Sequence, residues 1–413
     1  MLKNKKILLG VTGGIAAYKA AELTREFVKR GASVKVIMTA NASKFITPLT
    51  MQTLSGNPVY TEMFSLVESP EISHISLADW ADVFVIAPAT ANIIGKAAAG
   101  IGDDLLSTTI MAARMPVLFC PAMNSNMYAG PIVGENIGRL RRSGYRILEP
   151  ESGELACGVE GAGRLPSAGE ILDEVERMLT PQDLAGEKIL VTAGPTREPF
   201  DPVRFITNYS SGKMGYALAE AACKRGACVL LVSGPAALTC PRGVELVGVS
   251  SAVEMKEAVM RRLQDSTVII KAAAVADYRP AQTSGAKIKK EAGPLRLALE
   301  RNPDIIAEIG RKKGRRILVG FAMETENLIG NARIKLKEKN MDLIVANDLS
   351  RPGSGFQTDT NIVKILDRRG GIEELPIMEK SAVANHILDR VLALKAREPE
   401  KKQGRAKKNV RRP

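Results

Sequence analysis

Histidine is nearly missing from this chain, with two among 413 residues, and the five cysteines (Cys120, Cys157, Cys223, Cys228, Cys240) are odd in number and never stand at zinc-ligand spacing. That usage speaks against a zinc module and suits the reduced thiols of a cytosol. No uncharged apolar run reaches the ~18 residues that a membrane span needs, so a cytoplasmic protein with no membrane partner is expected. Met1 to Lys6 followed by Ile7 to Ala17 has the outline of a signal peptide, but Thr12-Gly13-Gly14 breaks the run and Ala16, Ala20, Leu23 and Phe27 continue beyond it at helical spacing. The segment therefore reads as strand, loop and helix. The common nucleotide fingerprints are missing too. Gly10-x-x-Gly13-Gly14 is not G-x-G-x-x-G, and Gly212-Lys213 is followed by Met214 with no P-loop glycine before it.

What the chain does have is one beginning used twice. Lys6-Ile7-Leu8-Leu9-Gly10-Val11-Thr12-Gly13-Gly14 returns as Lys188-Ile189-Leu190-Val191-Thr192-Ala193-Gly194. Each copy is an apolar run closing on Thr and Gly ahead of a helix-patterned segment, the order that offers a helix N-terminus to phosphate. Two α/β domains in tandem follow, with boundaries 1–181 and 182–395 and a linker at Thr180-Pro181-Gln182-Asp183. From Lys395 onward nine Lys or Arg stand against two Glu, a net of +7 out of the chain's +13. Residues 396–413 are read as a solvated, disordered tail, with weak contact to RNA or an acidic partner as the alternative; the rest makes no case for a nucleic-acid partner.

Taken in order, the first half predicts a helix over 15–30, strands over 33–39, 82–87, 117–120 and 145–148, helices over 92–99, 104–113 and 171–179, and a mobile Gly-rich flap over 151–164. Two strands run into similar loops, Pro88-Ala89-Thr90-Ala91-Asn92 and Pro121-Ala122-Met123-Asn124. In open parallel sheets ligands sit outside the carboxyl ends of the strands, where these loops fall with Thr12 to Ile15 and Thr39 to Asn41. Gly102-Asp103-Asp104 reads as a helix cap, and no metal ligands are assigned. The second half predicts a functional loop of about eighteen residues over 194–211, strands over 188–193, 228–233, 268–272, 317–321 and 343–346, and helices over 212–225, 252–263, 326–339 and 380–395. An edge hairpin over 361–375 completes a doubly wound pattern.

His74, lying between predicted elements, together with Pro121-Ala122-Met123-Asn124-Ser125-Asn126-Met127 and Leu155-Ala156-Cys157-Gly158, resembles the flavin-dependent cysteine decarboxylases. The second half resembles the ligase that follows that enzyme on one chain, through Asp201-Pro202-Val203-Arg204-Phe205-Ile206-Thr207-Asn208-Tyr209-Ser210-Ser211-Gly212-Lys213-Met214-Gly215, Ala273-Ala274-Val275-Ala276-Asp277-Tyr278-Arg279, Lys287-Ile288-Lys289-Lys290 and Asn302-Pro303-Asp304-Ile305. Over roughly residues 5–395 the chain is thus identified as a member of the bifunctional phosphopantothenoylcysteine decarboxylase / phosphopantothenate-cysteine ligase family. Tyr128, where the family often has Trp, and Gly194-Pro195, where it often has Gly-Gly, are departures; the first is expected to alter substrate packing.

The resemblance implies a flavodoxin-like three-layer sandwich holding FMN, then a Rossmann-like ligase domain using CTP and magnesium. FMN contacts carry over to Gly13, Gly14, Ile15, Thr39, Ala89, Thr90, Ala91, Asn92 and Ser107. His74 carries over as a proton-transfer group, Asn124 as the residue orienting the substrate carboxylate, and Cys157 as the proton donor to an enethiol. CTP contacts carry over to Ala272, Ala273, Asp277, Lys287, Asn302, Pro303, Asp304, Ile305, Phe321, Lys335 and Lys339, and Asn208 would meet an acyl phosphate. Expected partners are the small molecules 4'-phosphopantothenate, cysteine and CTP and further copies of the chain, as dimeric ligase halves and trimeric decarboxylase halves. A peptide-cysteine decarboxylase would leave the second half unexplained, and a regulatory flavoprotein would lack His74 or Cys157.

Overall fold

The computed structural model describes residues 2–64, 73–154, 158, 160–289, 295–324, 327–348 and 358–396, without the side chains of 73, 323, 324 and 348. Its contacts divide the chain into two compact units, Met1–Pro181 and Gln182–Pro413.

In the first unit, strands β1 (Lys6–Val11), β2 (Ser33–Met38), β3 (Val59–Tyr60), β4 (Val83–Ala89), β5 (Val117–Pro121) and β6 (Arg146–Ile147) form one sheet in the order β3-β2-β1-β4-β5-β6. Every pairing is parallel. Alternate residues of a strand point to opposite faces, so a sheet covered on both sides needs the unbroken apolar runs seen here. Ile7, Leu9 and Val11 pack under Leu23 and Phe27 of α1 (Lys19–Lys29) and Val175 of the last helix, and α2 (Pro48–Ser55) adds Met51 to that side. Leu8, Phe84 and Ile86 pack under α3 (Ser73–Trp80), α4 (Ala91–Ala99), α5 (Leu105–Ala112) and, beyond the short α6 (Ser125–Ala129), α7 (Pro131–Arg142). Strand β4 outruns its predicted end, continuing through a cis Ala87–Pro88 bond to Ala89. The predicted first helix opens as a 3-10 turn over Ile15–Tyr18, entered from Gly14 with no side-chain cap.

The flap over 151–164 is a hairpin whose arms β7 (Glu151–Glu154) and β8 (Glu160–Arg164) pair antiparallel before α8 (Ala168–Leu179), a regular structure that its glycine content concealed. Its root is fixed. Met123 N–H donates to Gly163 C=O at 2.9 Å, and a Cβ on Gly163 would stand 2.2 Å from Met123 O. Only glycine permits that approach.

The second unit repeats the plan. Strand β9 (Lys188–Ala193) is followed by a hairpin of β10 (Arg197–Pro199) and β11 (Phe205–Thr207), so the expected irregular loop contains structure of its own. Helix α9 (Lys213–Lys224), strands β12 (Cys228–Ser233) and β13 (Val244–Gly248), helix α10 (Ala252–Arg262) and strand β14 (Val268–Lys271) come next. A second hairpin, β15 (Tyr278–Pro280) with β16 (Leu299–Arg301), precedes α11 (Ile305–Lys312), β17 (Ile317–Glu324), α12 (Leu328–Glu338) and β18 (Leu343–Asp348). Short β19 (Thr360–Asn361), the edge strands β20 (Val363–Asp367) and β21 (Ile372–Glu374), β22 (Met378–Glu379) and α13 (Lys380–Ala396) close the unit. The main sheet runs β13-β12-β9-β14-β17-β18-β20-β21, with β20 and β21 antiparallel at its edge. Helices α9 and α13 cover one face and α10, α11 and α12 the other.

Arg225, at the end of α9 and almost wholly buried, binds Asp183 at 2.8 Å and Asp389 of α13 at 2.7 Å. Since each unit has its own two-sided core, residues 1–181 and 182–413 expressed separately should each be soluble and unfold in a single cooperative transition, read by thermal melting. Two insoluble fragments would show that neither core suffices alone.

Candidate active sites

Leaving β1 toward β2 and then returning past it to β4 opens a crevice at the carboxyl edge of the first sheet. A cavity of about 1050 Å³ lies there, at the upper end of the ~300–1,000 Å³ typical of small-molecule sites. Gly13, Gly14, Ile15, Thr39, Thr90, Ala91, Asn92 and Asn124 all line it. Ala89 and Ser107 are not among its described lining residues: Ala89 is buried in β4, and Ser107 is buried in a capping box with Asp104, which does reach the wall. His74, in the first turn of α3 and half-buried, is likewise not among them, and Cys157 lies outside the described residues. The hairpin supplies Glu154, Gly163 and Arg164 to the wall.

Thr12 fixes this crevice, a role the motif comparison did not assign. Its buried hydroxyl donates to Pro88 C=O at 2.7 Å and accepts from Thr90 N–H at 3.1 Å, tying the end of β1 to the loop after β4. Gly13 serves packing first, since a Cβ there would stand 2.3 Å from Asn41 Cβ. Helix α4 starts at Thr90 with no side chain capping its first turn, whereas α5 beside it is fully capped by Asp104 and Ser107. Uncapped amides at a nine-residue helix facing the cavity suit an anionic group. On the same wall Lys96 holds Asp103 at 2.6 Å and Asp104 at 3.1 Å, and these bonds, Asp103 first, keep its amine charged. The wall's large apolar share and this anion-seeking end together fit an isoalloxazine ring and a phosphate. Tyr128 turns away, its hydroxyl on Glu149 and its ring against the core, while Met127 lines the cavity; the expected effect of that departure on substrate packing has no basis among the described lining residues.

In the second unit the corresponding edge is built by the same device. Thr192 Oγ accepts from Ala273 N–H at 3.2 Å, and Thr196 Oγ from Ala276 N–H at 3.0 Å. Asn208 Nδ2 donates to Val275 C=O at 3.1 Å, Asn302 N–H to Asp277 C=O at 2.8 Å and Asn302 Nδ2 to Ala276 C=O at 2.8 Å. Asp304 caps α11 through Ala307 N–H and holds Lys339 at 3.0 Å. Burial raises its carboxyl, but the Lys339 bond and the cap outweigh that and the net shift is downward. The structure thus brings Asn208, the 272–277 loop, the Asn302–Ile305 turn and Lys339 together. Lys335 is half-buried one turn before Lys339 on α12, and Phe321 packs on the opposite face of the sheet, against the core under α9 and α13. Pro195 breaks no pairing, because Gly194 C=O accepts from Ala274 N–H at 2.9 Å and Ala274 C=O accepts from Thr196 N–H at 3.4 Å.

Lys287 is exposed, but its neighbour is anchored. Asp201, 1% exposed, accepts Ile288 N–H at 3.2 Å, Val203 and Arg204 N–H at 2.8 and 2.7 Å, and Arg204 Nη2 at 2.6 Å. Arg204 first, then these amides, hold its carboxyl far below the ordinary range against burial.

Two family models match the chain: "Flavoprotein" over residues 1–180 and "DNA/pantothenate metabolism flavoprotein C-terminal domain" over 184–394. The coenzyme A biosynthesis bifunctional protein CoaBC of Bacillus subtilis is 51% identical over 398 residues, covering 95% of this chain and 98% of that one. The chain belongs to that bifunctional coenzyme A biosynthesis family. The family's Escherichia coli member is 45% identical over 95% of this chain and 97% of its own. Among solved structures, the C-terminal domain of a CoaBC protein is 46% identical and covers 52% of this chain and 98% of its own, with a TM-score of 0.45. The FMN-dependent cysteine decarboxylase SpaF is 33% identical over 41% of this chain and 96% of its own, with a TM-score of 0.37.

Asp201→Asn should free the segment carrying Lys287 without touching either core. Hydrogen exchange at Ile288 N–H should rise strongly while β9 and β14 stay protected. Unchanged protection at Ile288 would mean the carboxylate is not its anchor. In the wild type the same anchor should weaken as pH falls through and below the usual carboxylate range, about 4, because a lowered carboxyl pKa stabilises only while the group is ionised.

Proposed function

We propose that this chain catalyses two consecutive steps toward coenzyme A: CTP-dependent ligation of 4'-phosphopantothenate with cysteine, then FMN-dependent decarboxylation of the resulting 4'-phosphopantothenoylcysteine to 4'-phosphopantetheine. The observation that carries it is the cavity at the edge of the first sheet, bordered by four strand-end loops and the hairpin, on one chain with a second, separately built strand-end site. Membership of the family supports both assignments. No helix among the described residues is long and apolar enough to cross a membrane. The reading includes a cytoplasmic homo-oligomer with dimeric ligase halves and trimeric decarboxylase halves.

In the second unit a carboxylate must gain a leaving group before an amine can attack it, and CTP supplies cytidylate with release of pyrophosphate. Lys287, Lys335 and Lys339 would neutralise the phosphates, the Asp277 loop and the Asn302–Ile305 turn would seat the nucleotide, and Asn208 would donate to the acyl phosphate. Magnesium would come with the nucleotide and neutralise phosphate charge; among the described residues no group of three His, Cys, Asp or Glu is placed to hold a metal ion.

In the first unit, FMN when bound supplies the oxidation of the cysteinyl thiol and the later return of electrons, which gives the electrons left by departing CO2 somewhere to go. Thr90, Ala91 and Asn92 at the start of α4 would hold its phosphate. Asn124 caps α6 by accepting Asn126 N–H at 2.9 Å, which fixes its side chain at the cavity wall, where it would orient the substrate carboxylate. His74 would move a proton at the substrate, and Cys157 would give one to the enethiol carbon.

Pyrophosphate release measured with phosphopantothenate and cysteine should be fast with CTP and slow with ATP; equal rates would sink the nucleotide assignment. The roles of His74 and Cys157 separate by product. His74→Asn should bind FMN and release no CO2, whereas Cys157→Ser should release CO2 and accumulate the oxidised enethiol, since a serine hydroxyl is a far weaker acid than a thiol. Mass spectrometry of the products decides, and reduced 4'-phosphopantetheine formed by Cys157→Ser at the wild-type rate would return that cysteine to a structural part.

A further inference from the structure

One amine at the second site has no part in the reading above. Lys271 ends β14, the central strand of its sheet, between Thr192 of β9 and Gly320 of β17. Counting along the strand, it shares the face of Ile269 and Ala273, the face covered by α10, α11 and α12. A half-buried lysine on that face stands among groups already placed at the site. They are Lys339 at the end of α12, Asp304 at the start of α11, and Asp277 in the loop after β14.

The hydrogen bonds of that group are lopsided. Asp304 is committed to Lys339 at 3.0 Å and to the cap of α11. Among the described residues Lys271 makes one bond, a long one, Nζ to Ala273 C=O at 3.4 Å, beyond the ~2.7–3.2 Å of a good one. Gly320, paired directly beside it, carries no side chain for the amine to bond. Burial first, then repulsion from Lys339, outweigh the attraction of Asp304 and Asp277 and push the amine down to about 8. A cation to which the described residues give so little has room for one more anionic partner.

Resting on the ligase reading, we infer that Lys271 is a further nucleotide-binding residue, its amine meeting a phosphate oxygen of CTP beside Lys339. An arriving anion holds the amine charged, so binding takes up a proton wherever the amine was neutral beforehand. Well below pH 8 it is already almost wholly ammonium and little is taken up. As pH rises through 8 the uptake grows and the apparent affinity for CTP falls.

The test is calorimetric titration of CTP into the full chain, about one pH unit below and above that value, in two buffers of different ionisation heat. The wild type should show substantial proton uptake at the higher pH only. Lys271→Met should bind CTP about tenfold more weakly, the loss of one charge-assisted contact, with no uptake and a flat pH profile. Lys271→Arg, permanently charged, should keep tight binding at both pH values without uptake. Wild-type affinity with wild-type uptake in Lys271→Met would overturn the inference. If Lys271→Met fails to show a normal thermal transition, Lys271→Arg decides, because uptake persisting in it would belong to another group. No CTP binding by the wild type would overturn the ligase reading itself.

Discussion

Each half depends on a threonine hydroxyl at the end of its first strand. A parallel sheet pairs its strands along their length but leaves the departing loops unsecured, and a loop's own backbone polar groups must be satisfied once it is buried. Thr12 answers this by donating to Pro88 and accepting from Thr90, and Thr192 by accepting from Ala273. In both units the bond runs from the first strand to the strand that follows the reversal of order, β4 in one case and β14 in the other. The two lips of each crevice are thereby held at fixed separation before a ligand arrives, which is the condition for binding without a cost in ordering.

Around this shared device the halves diverge in charge. The first crevice has a largely apolar wall and offers an uncapped helix start, and Lys96 on that wall is held by Asp103 and Asp104. The second gathers Lys339 and Lys271 about one committed carboxylate. A flat aromatic cofactor and a triphosphate ask for these two environments respectively, and one strand plan serves both because the chemistry is carried by loops at its edge.

Much of this was legible in the residues. The buried strands announce themselves as apolar runs because parallel sheets are covered on both faces, and the edge hairpin and last helix fall where expected. The helices α2, α3, α6, α7 and α11 were missed although their starts carry local signals such as Pro48, Pro131 and Asp304, and two missed strands are stabilised by contacts that are not local. β13 lies at the sheet edge with Glu245, Leu246 and Gly248 exposed, so it shows no run. β10 is three residues of which Glu198 is buried, accepting Ala252 N–H from the start of α10 over fifty residues away, a contact no pattern encodes. Motif matching placed eight of the first half's residues around one cavity, yet it passed over Thr12, whose signal was the repeated Thr-x-Gly ending itself, and Lys271, a charge inside an otherwise apolar strand end. It named Ala89 and Ser107, whose burial gives them supporting places behind the wall.

The clamp made by Arg225 has a consequence for how such a chain can be rearranged. One guanidinium holds Asp183, where the second unit begins, against Asp389 on the helix where its described part ends. A module whose entrance and exit are gripped by the same side chain presents itself as a closed cassette. New ends could be opened in an exposed turn and the old ones spliced together, or the whole piece set into a loop of another protein, without asking any strand of its sheet to shift.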